Sequence, residues 1–298
     1  MTKNTFPAVG QCIPVAASAR AVFADLRSWT ATHLPDHEDL PLFGAAFGVS
    51  VVGPWATADQ LRLPARMIAW AYAFDDHLEQ KVTDREELDE LVDRCLAVVH
   101  TGQPDTATPL LSSLSSWQHE LARLPAYPPL ASLWKEKFAA CMRGHRYDWA
   151  AGWARERGSE HGAGLAMDVA EYLDHADSIS LWLVNLPRWV AYGDDEIPAH
   201  LDVLVPAVDD LSVAVRLAND LATIDRERDE PGQNNILMYD GVAKDWVRTQ
   251  LATRLTSIRR RLSPLVAEDY LPAVGIIRLS EWSMGIYNGT DLRDMTAD

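Results

Sequence analysis

Cysteines, long apolar runs and secretion signals are scarce or missing in this sequence, and each shortage argues against a class of protein. The three cysteines, Cys12, Cys95 and Cys141, are odd in number and widely spaced, so neither a disulfide framework nor a zinc site is indicated. No apolar run approaches the roughly eighteen residues of a transmembrane helix, and no cationic segment followed by an apolar one begins the chain. We therefore expect a cytoplasmic protein without a membrane anchor.

Basic residues are also in short supply, with 27 Lys and Arg against 43 Asp and Glu, which gives a net charge of −16. Nucleic acids and anionic membrane surfaces repel such a protein, so neither is expected as a partner. The same charge argues against diffuse attraction of an anionic substrate. Such a substrate would have to be captured by local metal ions and individual basic side chains.

Alternating patterns typical of strands are scarce, whereas apolar residues at helical spacing run through most of the chain. We therefore predict an all-α fold. With 48% hydrophobic residues and no linker or internal repeat, residues 1–298 are expected to form a single domain. The predicted helical segments cover residues 16–30, 58–80, 85–100, 107–123, 128–157, 163–190, 202–229, 241–260 and 264–290.

A group of carboxylates at the end of one helical segment forms the first candidate site. Asp75 and Glu79 lie one helical turn apart on one face, and Asp76 adds a third carboxylate beside them. Unpaired carboxylates at such distances repel each other, and a divalent cation relieves the repulsion. Magnesium usually binds through one or two carboxylates and bridges to substrate phosphates. Taken alone, however, such an acidic cluster is usually a solvated helix end or an N-cap.

A second candidate site lies well over a hundred residues downstream and has a more specific pattern. Asn219, Thr223 and Glu227 recur every four residues, so carboxamide, hydroxyl and carboxylate oxygens line one helical stripe. Arg226 comes round to nearly the same face, where its guanidinium can bind phosphate oxygens in a bidentate manner. Asn and Thr are poor helix-interior residues, so their placement needs some compensation. The two sites together predict a two-walled magnesium site that holds a diphosphate.

Together these segments resemble the paired motifs of the bacterial class I terpene synthases, DDxx(D/E) and NDxx(S/T)xx(K/R)E. Residues 75–79 read DDHLE, residues 219–227 read NDLATIDRE, and the following GQNNI at 232–236 is also similar to the family. Their order, their separation and the total length agree, so the resemblance covers essentially the whole chain. It implies an α-helical bundle around an apolar active-site pocket, with a cluster of three magnesium ions between the motifs. The implied metal ligands are Asp75, Asp76, Glu79, Asn219, Thr223 and Glu227.

The activity implied by the resemblance is that of a magnesium-dependent cyclase. The metal ions bind a prenyl diphosphate and withdraw diphosphate, and the resulting allylic carbocation cyclises against aromatic faces in a dry pocket. Asp75, Asp76 and Glu79 would act in this step, and Tyr72, one turn before Asp76, is the aromatic residue expected beside the reacting chain. The further candidates for the pocket wall are Trp182, Trp189 and Trp282, although core packing would explain them equally well.

The region upstream of the second motif departs from the family pattern. The family usually places a diphosphate-sensing arginine there, in a context like Tyr-Leu-x-x-Arg, and Ala176 occupies its place in this chain. His175 is a weak substitute because an imidazole is mostly neutral at pH 7. Ser178 and Ser180 lie where the family's helix breaks, and a kink lined by small polar residues is the simplest reading of them.

The C-terminal segment departs from the pattern as well. The family commonly closes the site with an Arg-Tyr pair, whereas this chain has Arg293 followed by Asp294. Arg293 is retained as a diphosphate-binding candidate beside Arg226. The resemblance is compatible with a homodimer.

Other interpretations stay open at this stage. A chain-elongating prenyl transferase would be expected to carry a second Asp-rich motif where residues 219–227 stand. A non-catalytic family member would bind a terpenoid or a diphosphate without turnover, and a helical interaction protein leaves the Asn219 stripe unexplained. Fifteen-carbon, twenty-carbon and pre-cyclised twenty-carbon diphosphates share one headgroup, and the altered Ala176 region slightly favours a twenty-carbon substrate.

Overall fold

The computed structural model describes residues 9–37, 40–157 and 168–289. Within these ranges the chain forms α-helices and short 3₁₀ turns without a strand, so the predicted all-α fold is confirmed. The helices are α1 Val9–His33, α2 Leu42–Val52, α3 Ala58–Gln80, α4 Arg85–Thr101, α5 Pro109–Ala122, α6 Tyr127–Arg157, α7 Val169–Asp174, α8 Leu181–Tyr192, α9 Leu201–Glu227, α10 Lys244–Ala267 and α11 Leu271–Gly289. Among the described helices, none combines the length and the apolar character that a membrane span requires.

Helix α3 runs through the centre of the bundle, and its start is fixed by a reciprocal cap. The Thr57 side chain accepts a hydrogen bond from the backbone of Gln60, whose side chain accepts one from the Thr57 backbone. Two buried tryptophans then fix α3 against α5, because Trp70 donates to the Leu110 carbonyl and Trp117 donates to the Leu63 carbonyl. This packing fixes the position of the acidic C-terminal end of α3 relative to α5.

Of the helix predicted over residues 163–190, residues 163–167 lie outside the described residues, and the remainder is broken in the structure. Helix α7 ends at Asp174, a 3₁₀ turn spans Ala176–Ile179, and Ser180 takes a φ of 60° before α8 begins. Helix α6 lies so close to this break that a Cβ at Gly144 would stand 2.7 Å from the Ser178 backbone nitrogen. The structure thus shows a break where the family resemblance implied a kink, and a neighbouring helix supports it.

Two boundaries differ from the sequence prediction for identifiable reasons. Helix α2 is absent from the predicted segments because LFGAAFGVSVV is apolar all round and has no amphipathic period. The turn between α10 and α11 falls after residue 267 rather than near Pro264, which is accommodated inside α10. Asp269, with a φ of 54°, makes that turn instead.

Candidate active site

A cavity of about 800 Å³ lies between α2, α3, α6, the break before α8, α9 and α11. Its wall contains residues from both sequence motifs: Asp75 and Glu79 from α3, and Asn219 and Glu227 from α9. The fold therefore brings together two segments that lie well over a hundred residues apart. The volume is that of a site for a small organic molecule.

On the α3 wall, two of the three predicted carboxylates line the cavity. Asp75 and Glu79 do so, whereas Asp76 is absent from the wall and is held by other side chains. Its Oδ2 lies 2.8 Å from the Nδ1 atom of His37, which is itself buried, and the Gln80 side chain donates to its other oxygen. Adjacent residues on a helix point about 100° apart, so Asp76 cannot share the direction of Asp75. The structure thus differs from the expected trio of carboxylates.

On the α9 wall, Asn219 and Glu227 line the cavity while Thr223 lies behind them. The Thr223 hydroxyl donates to the backbone carbonyl of Asn219 over 2.8 Å, and its side chain is buried. Glu227 Oε2 accepts a hydrogen bond of 3.0 Å from the carboxamide of Asn235, in the loop after α9. Glu227 is therefore held in place by a group outside its own helix.

The Arg226 guanidinium lies at the rim of the same cavity. Its Nη1 atom is 2.7 Å from Glu230 Oε2, and its Nη2 atom is 3.7 Å from Glu227 Oε1. Such partly exposed ion pairs are weak, so an incoming anion can compete for this guanidinium. Nearby, the Gln233 side chain lies 3.5 Å from Glu79 Oε1 and links the α9 side of the mouth to the α3 side.

The donors at this mouth fit a hard divalent cation shared with a ligand. All of the lining candidates offer oxygen, which Mg²⁺ prefers. Among the described residues, no three His, Cys, Asp or Glu side chains come together as a metal-binding group, so a closed protein cage is not formed. Because magnesium keeps waters and takes substrate phosphates as ligands, two sparse walls suit it better than a structural zinc site.

Of the four predicted aromatic candidates, two line the cavity and two do not. Tyr72 and Trp282 belong to its wall. Trp182 instead donates to Asp209 over 2.8 Å, and Trp189 packs edge-on against it with ring centroids 5.7 Å apart. Both are buried in the main core, because the face of α8 that they share turns toward neighbouring helices.

Other aromatic residues of the cavity wall were missed by the sequence reading. Trp149 and Trp153 of α6 lie there with ring centroids 5.0 Å apart, and Tyr287 of α11 joins them. The spacing of four between the tryptophans placed them on one helical face and was the available signal. Gly48 of α2 makes room for Trp282, since a Cβ there would stand 3.1 Å from the indole nitrogen.

A buried polar network behind the α9 wall was also missed. Arg216 forms a bidentate ion pair with Asp148 of α6, at 2.6 and 2.7 Å. Burial by itself would raise the pKa of Asp148, but the guanidinium holds it below its ordinary value. Beside them, the Tyr172 hydroxyl donates to Asp220, whose pKa burial raises to about 7. Single residues on separate helices give no local spacing signal for such a network.

The break before α8 contributes uncharged groups to the cavity. Ser178 and Ser180 line it, whereas Ala176 is buried away from it and His175 stacks on Tyr147 with ring centroids 4.3 Å apart. His145 of α6 faces the same region, and burial lowers its pKa to about 4, so its imidazole is neutral at pH 7. The remaining candidate, Arg293, lies outside the described residues.

Comparison with known proteins agrees with this site. Residues 66–239 match the family model described as terpene synthase family 2, C-terminal metal binding. The chain is 44% identical over 281 residues to the ent-pimara-9(11),15-diene synthase of Streptomyces sp. strain KO-3988, covering 94% of this chain and 93% of the relative. It is 26% identical over 245 residues to the pentalenene synthase of Streptomyces arenae, covering 76% of this chain and 67% of the relative.

Solved structures share the fold at low sequence identity. A cucumene synthase variant superposes with a TM-score of 0.70 at 16% identity, covering 93% of this chain and 96% of the other. The 2-methylisoborneol synthase of Streptomyces coelicolor A3(2) does so with a TM-score of 0.69 at 14% identity, covering 95% and 92%. The two motifs on one cavity, the family model and the near full-length relative lead to one conclusion: this chain belongs to the terpene synthase family and is a terpene cyclase.

Proposed function

We propose that this protein is a magnesium-dependent class I diterpene cyclase. It would ionise a twenty-carbon prenyl diphosphate and cyclise the carbocation that remains. The observation that supports this most is that both motifs line one cavity whose wall also contains apolar and aromatic side chains. The twenty-carbon choice is supported by the relative at 44% identity, whose name is that of a diterpene synthase.

The residues that would hold the metal ions are those at the cavity mouth. Asp75 and Glu79 would act from α3, and Asn219 and Glu227 from α9, with Thr223 behind them; three ions shared between the walls are inferred. When bound, magnesium supplies Lewis-acid stabilisation of the negative charge on departing diphosphate. Arg226 would leave its carboxylate partners to bind diphosphate oxygens, because a charged phosphate is a stronger bidentate acceptor than an exposed glutamate.

The inner wall would serve the hydrocarbon part of the substrate. When the allylic carbon–oxygen bond breaks, the electron pair leaves with diphosphate, and the ring faces of Tyr72, Trp149 and Trp282 stabilise the cation left behind. These faces offer no lone pair that would trap it. His145 adds no competing positive charge, since burial keeps its imidazole neutral at pH 7.

The test is turnover of defined substrates by the purified protein. Geranyl, farnesyl and geranylgeranyl diphosphates and a pre-cyclised twenty-carbon diphosphate are incubated with and without Mg²⁺, followed by gas chromatography with mass detection and a diphosphate assay. A cyclic twenty-carbon product that requires Mg²⁺ is expected. Turnover of the fifteen-carbon substrate alone would contradict the chain length, and equal turnover in the presence of EDTA would contradict the metal.

Two arms of the same experiment address the other interpretations. Addition of isopentenyl diphosphate would give a longer prenyl diphosphate if the protein were a chain-elongating transferase. Binding of each substrate without diphosphate release would indicate a non-catalytic binder. Either result would overturn the proposed cyclase activity.

A further inference from the structure

Arg216 is a buried guanidinium in the cavity wall, one helical turn before Asn219 on α9. Its five N–H groups all have protein partners. The Nε atom donates to the Tyr172 hydroxyl over 2.7 Å, and the two Nη atoms donate to both Asp148 oxygens at 2.6 and 2.7 Å. The remaining two N–H groups reach the Ser178 hydroxyl and, over 3.2 Å, the Asn234 carbonyl. A fully occupied guanidinium has no donor left for a substrate phosphate.

Three of the four partners of Arg216 come from different parts of the cavity wall, and the fourth, Tyr172, belongs to α7. Asp148 belongs to α6, Ser178 to the break before α8, and Asn234 to the loop after α9. The parts are also tied to each other, since the Asn234 carboxamide donates to Asp148 over 2.7 Å. The next residue, Asn235, holds Glu227. Arg216 is thus the point at which the helix break is joined to the proposed metal-binding stripe.

The helix break itself requires stabilising contacts from neighbouring elements. Ser180 lies at a φ of 60°, a conformation that costs a non-glycine residue free energy and persists only where the surroundings impose it. Ala176 brings no charge to this segment from its own helix. The guanidinium of Arg216 reaches the segment from the facing helix instead, and a polar network whose members are all satisfied is rigid.

We propose that Arg216 is a positioning residue of the cyclase, which fixes the Ser178–Ser180 segment relative to Asn219 and Glu227. It thereby sets the hydrocarbon pocket at a defined distance and angle from the bound diphosphate. This inference rests on the proposed function. Its role is distinct from that of Arg226, which would bind the diphosphate directly.

The ion pair allows a structural role to be separated from a positioning role. Loss of Arg216 alone leaves the partly buried Asp148 carboxylate without its guanidinium, which is destabilising, whereas replacement of both partners by apolar residues is often tolerated. The variants are therefore Arg216→Lys, which keeps the charge but loses the five-donor fork, and the double change Arg216→Met with Asp148→Leu. Arg254→Met with Asp210→Leu is the matched control, because that 2.6 Å ion pair joins α9 to α10 away from the cavity.

Four quantities are measured: the thermal midpoint, binding of Mg²⁺ with inorganic pyrophosphate by calorimetry, the split between kcat and KM, and the product profile. For the Arg216 double variant we expect a thermal midpoint near that of the wild type and pyrophosphate affinity within about threefold. We expect kcat to fall about tenfold or more and the product mixture to broaden, because a misplacement of about 1 Å is enough for such a loss. Arg216→Lys should behave in the same direction, and the control should retain wild-type kcat and products.

The proposal would be overturned if the Arg216 double variant had wild-type kcat, products and thermal midpoint. Arg216 would then serve only to neutralise the Asp148 charge. Ser178→Ala covers the case in which the charged variants fail to fold, because it removes one acceptor of Arg216 without replacing a charged group. It should lower kcat by about threefold or more with pyrophosphate binding retained; unchanged kcat would refute the proposal. A wild-type protein that turns over no diphosphate would instead refute the proposed function.

Discussion

The two walls of the cavity mouth are built differently, although both carry proposed metal ligands. On the α9 wall, Glu227 is buried and its Oε2 atom accepts a hydrogen bond of 3.0 Å from Asn235. On the α3 wall, Glu79 is exposed, and its Oε1 atom lies 3.5 Å from the Gln233 side chain. A buried and hydrogen-bonded ligand is pre-organised and loses little freedom when a metal binds, whereas an exposed side chain can follow the substrate. We therefore expect the α9 wall to be the less tolerant of change.

Asn219→Ala should have the largest effect on turnover. It removes an oxygen ligand from the rigid wall, where neighbouring side chains cannot move to replace it. We expect kcat/KM to fall about a thousandfold, or about 4 kcal/mol, with helical content by circular dichroism unchanged. Glu227→Ala should match it. Wild-type turnover in both variants would remove the α9 wall from the metal site.

Asp75→Ala should cost less, about a hundredfold in kcat/KM. Glu79 and water remain on the more adaptable α3 wall and can take over part of the ligation. When activity is titrated with Mg²⁺, this variant should need a higher Mg²⁺ concentration for half-maximal activity. A loss as large as that of Asn219→Ala would break the proposed difference between the walls.

His145 at the back of the cavity provides a test of stability. Burial lowers its pKa to about 4 in the folded protein, while an unfolded chain titrates near its ordinary value of 6.5. Between these values the unfolded state binds more protons, so the free energy of unfolding falls as pH drops from about 6.5 to 4, by up to about 3 kcal/mol. In His145→Gln, the free energy of unfolding, measured by urea unfolding at each pH, should fall less steeply between pH 6.5 and 4. The same pH dependence in both proteins would contradict the inference that His145 is buried as a neutral imidazole.

Tyr72→Ala should change the products more than the rate. The ring lies in the cavity wall but supplies no proposed ligand, so diphosphate release should fall by less than about tenfold. The ratio of products by gas chromatography should shift. An unchanged profile would mean that the ring only packs.

Asp76→Asn should have the smallest effect on turnover. A carboxamide can keep a hydrogen bond to His37, and the structure places this side chain outside the cavity wall. We expect a change of about threefold or less in kcat/KM. A loss comparable to that of Asp75→Ala would show that Asp76 swings into the site when substrate binds.

The sequence was most informative where function depends on local helical spacing. The spacing of four residues from Asp75 to Glu79 and of eight residues from Asn219 to Glu227 placed each pair on one face, and the fold brings both faces to one cavity. The all-α class followed from the same periodicity. Asp76 and Thr223 were placed less well: adjacent helical residues point about 100° apart, which turns Asp76 away from Asp75, and the Thr223 hydroxyl bonds to the backbone of its own helix.

What the sequence could not show are contacts between distant elements. Arg216 and Asp148 lie 68 residues apart and form a partly buried ion pair with no recognisable motif. Trp182 and Trp149 are equally aromatic in the sequence, yet only Trp149 lines the cavity. Helix packing decides such outcomes.

The close approach of Gly48 to Trp282 has a consequence for how this cavity can change by mutation. A methyl group at residue 48 would meet the indole at 3.1 Å, so that ring would have to give by a few tenths of an ångström. Glycine and alanine codons differ at one base. A single nucleotide change can therefore alter the shape of the cavity beside Trp282. Such a change could give a different product skeleton while the proposed metal ligands at the cavity mouth stay the same.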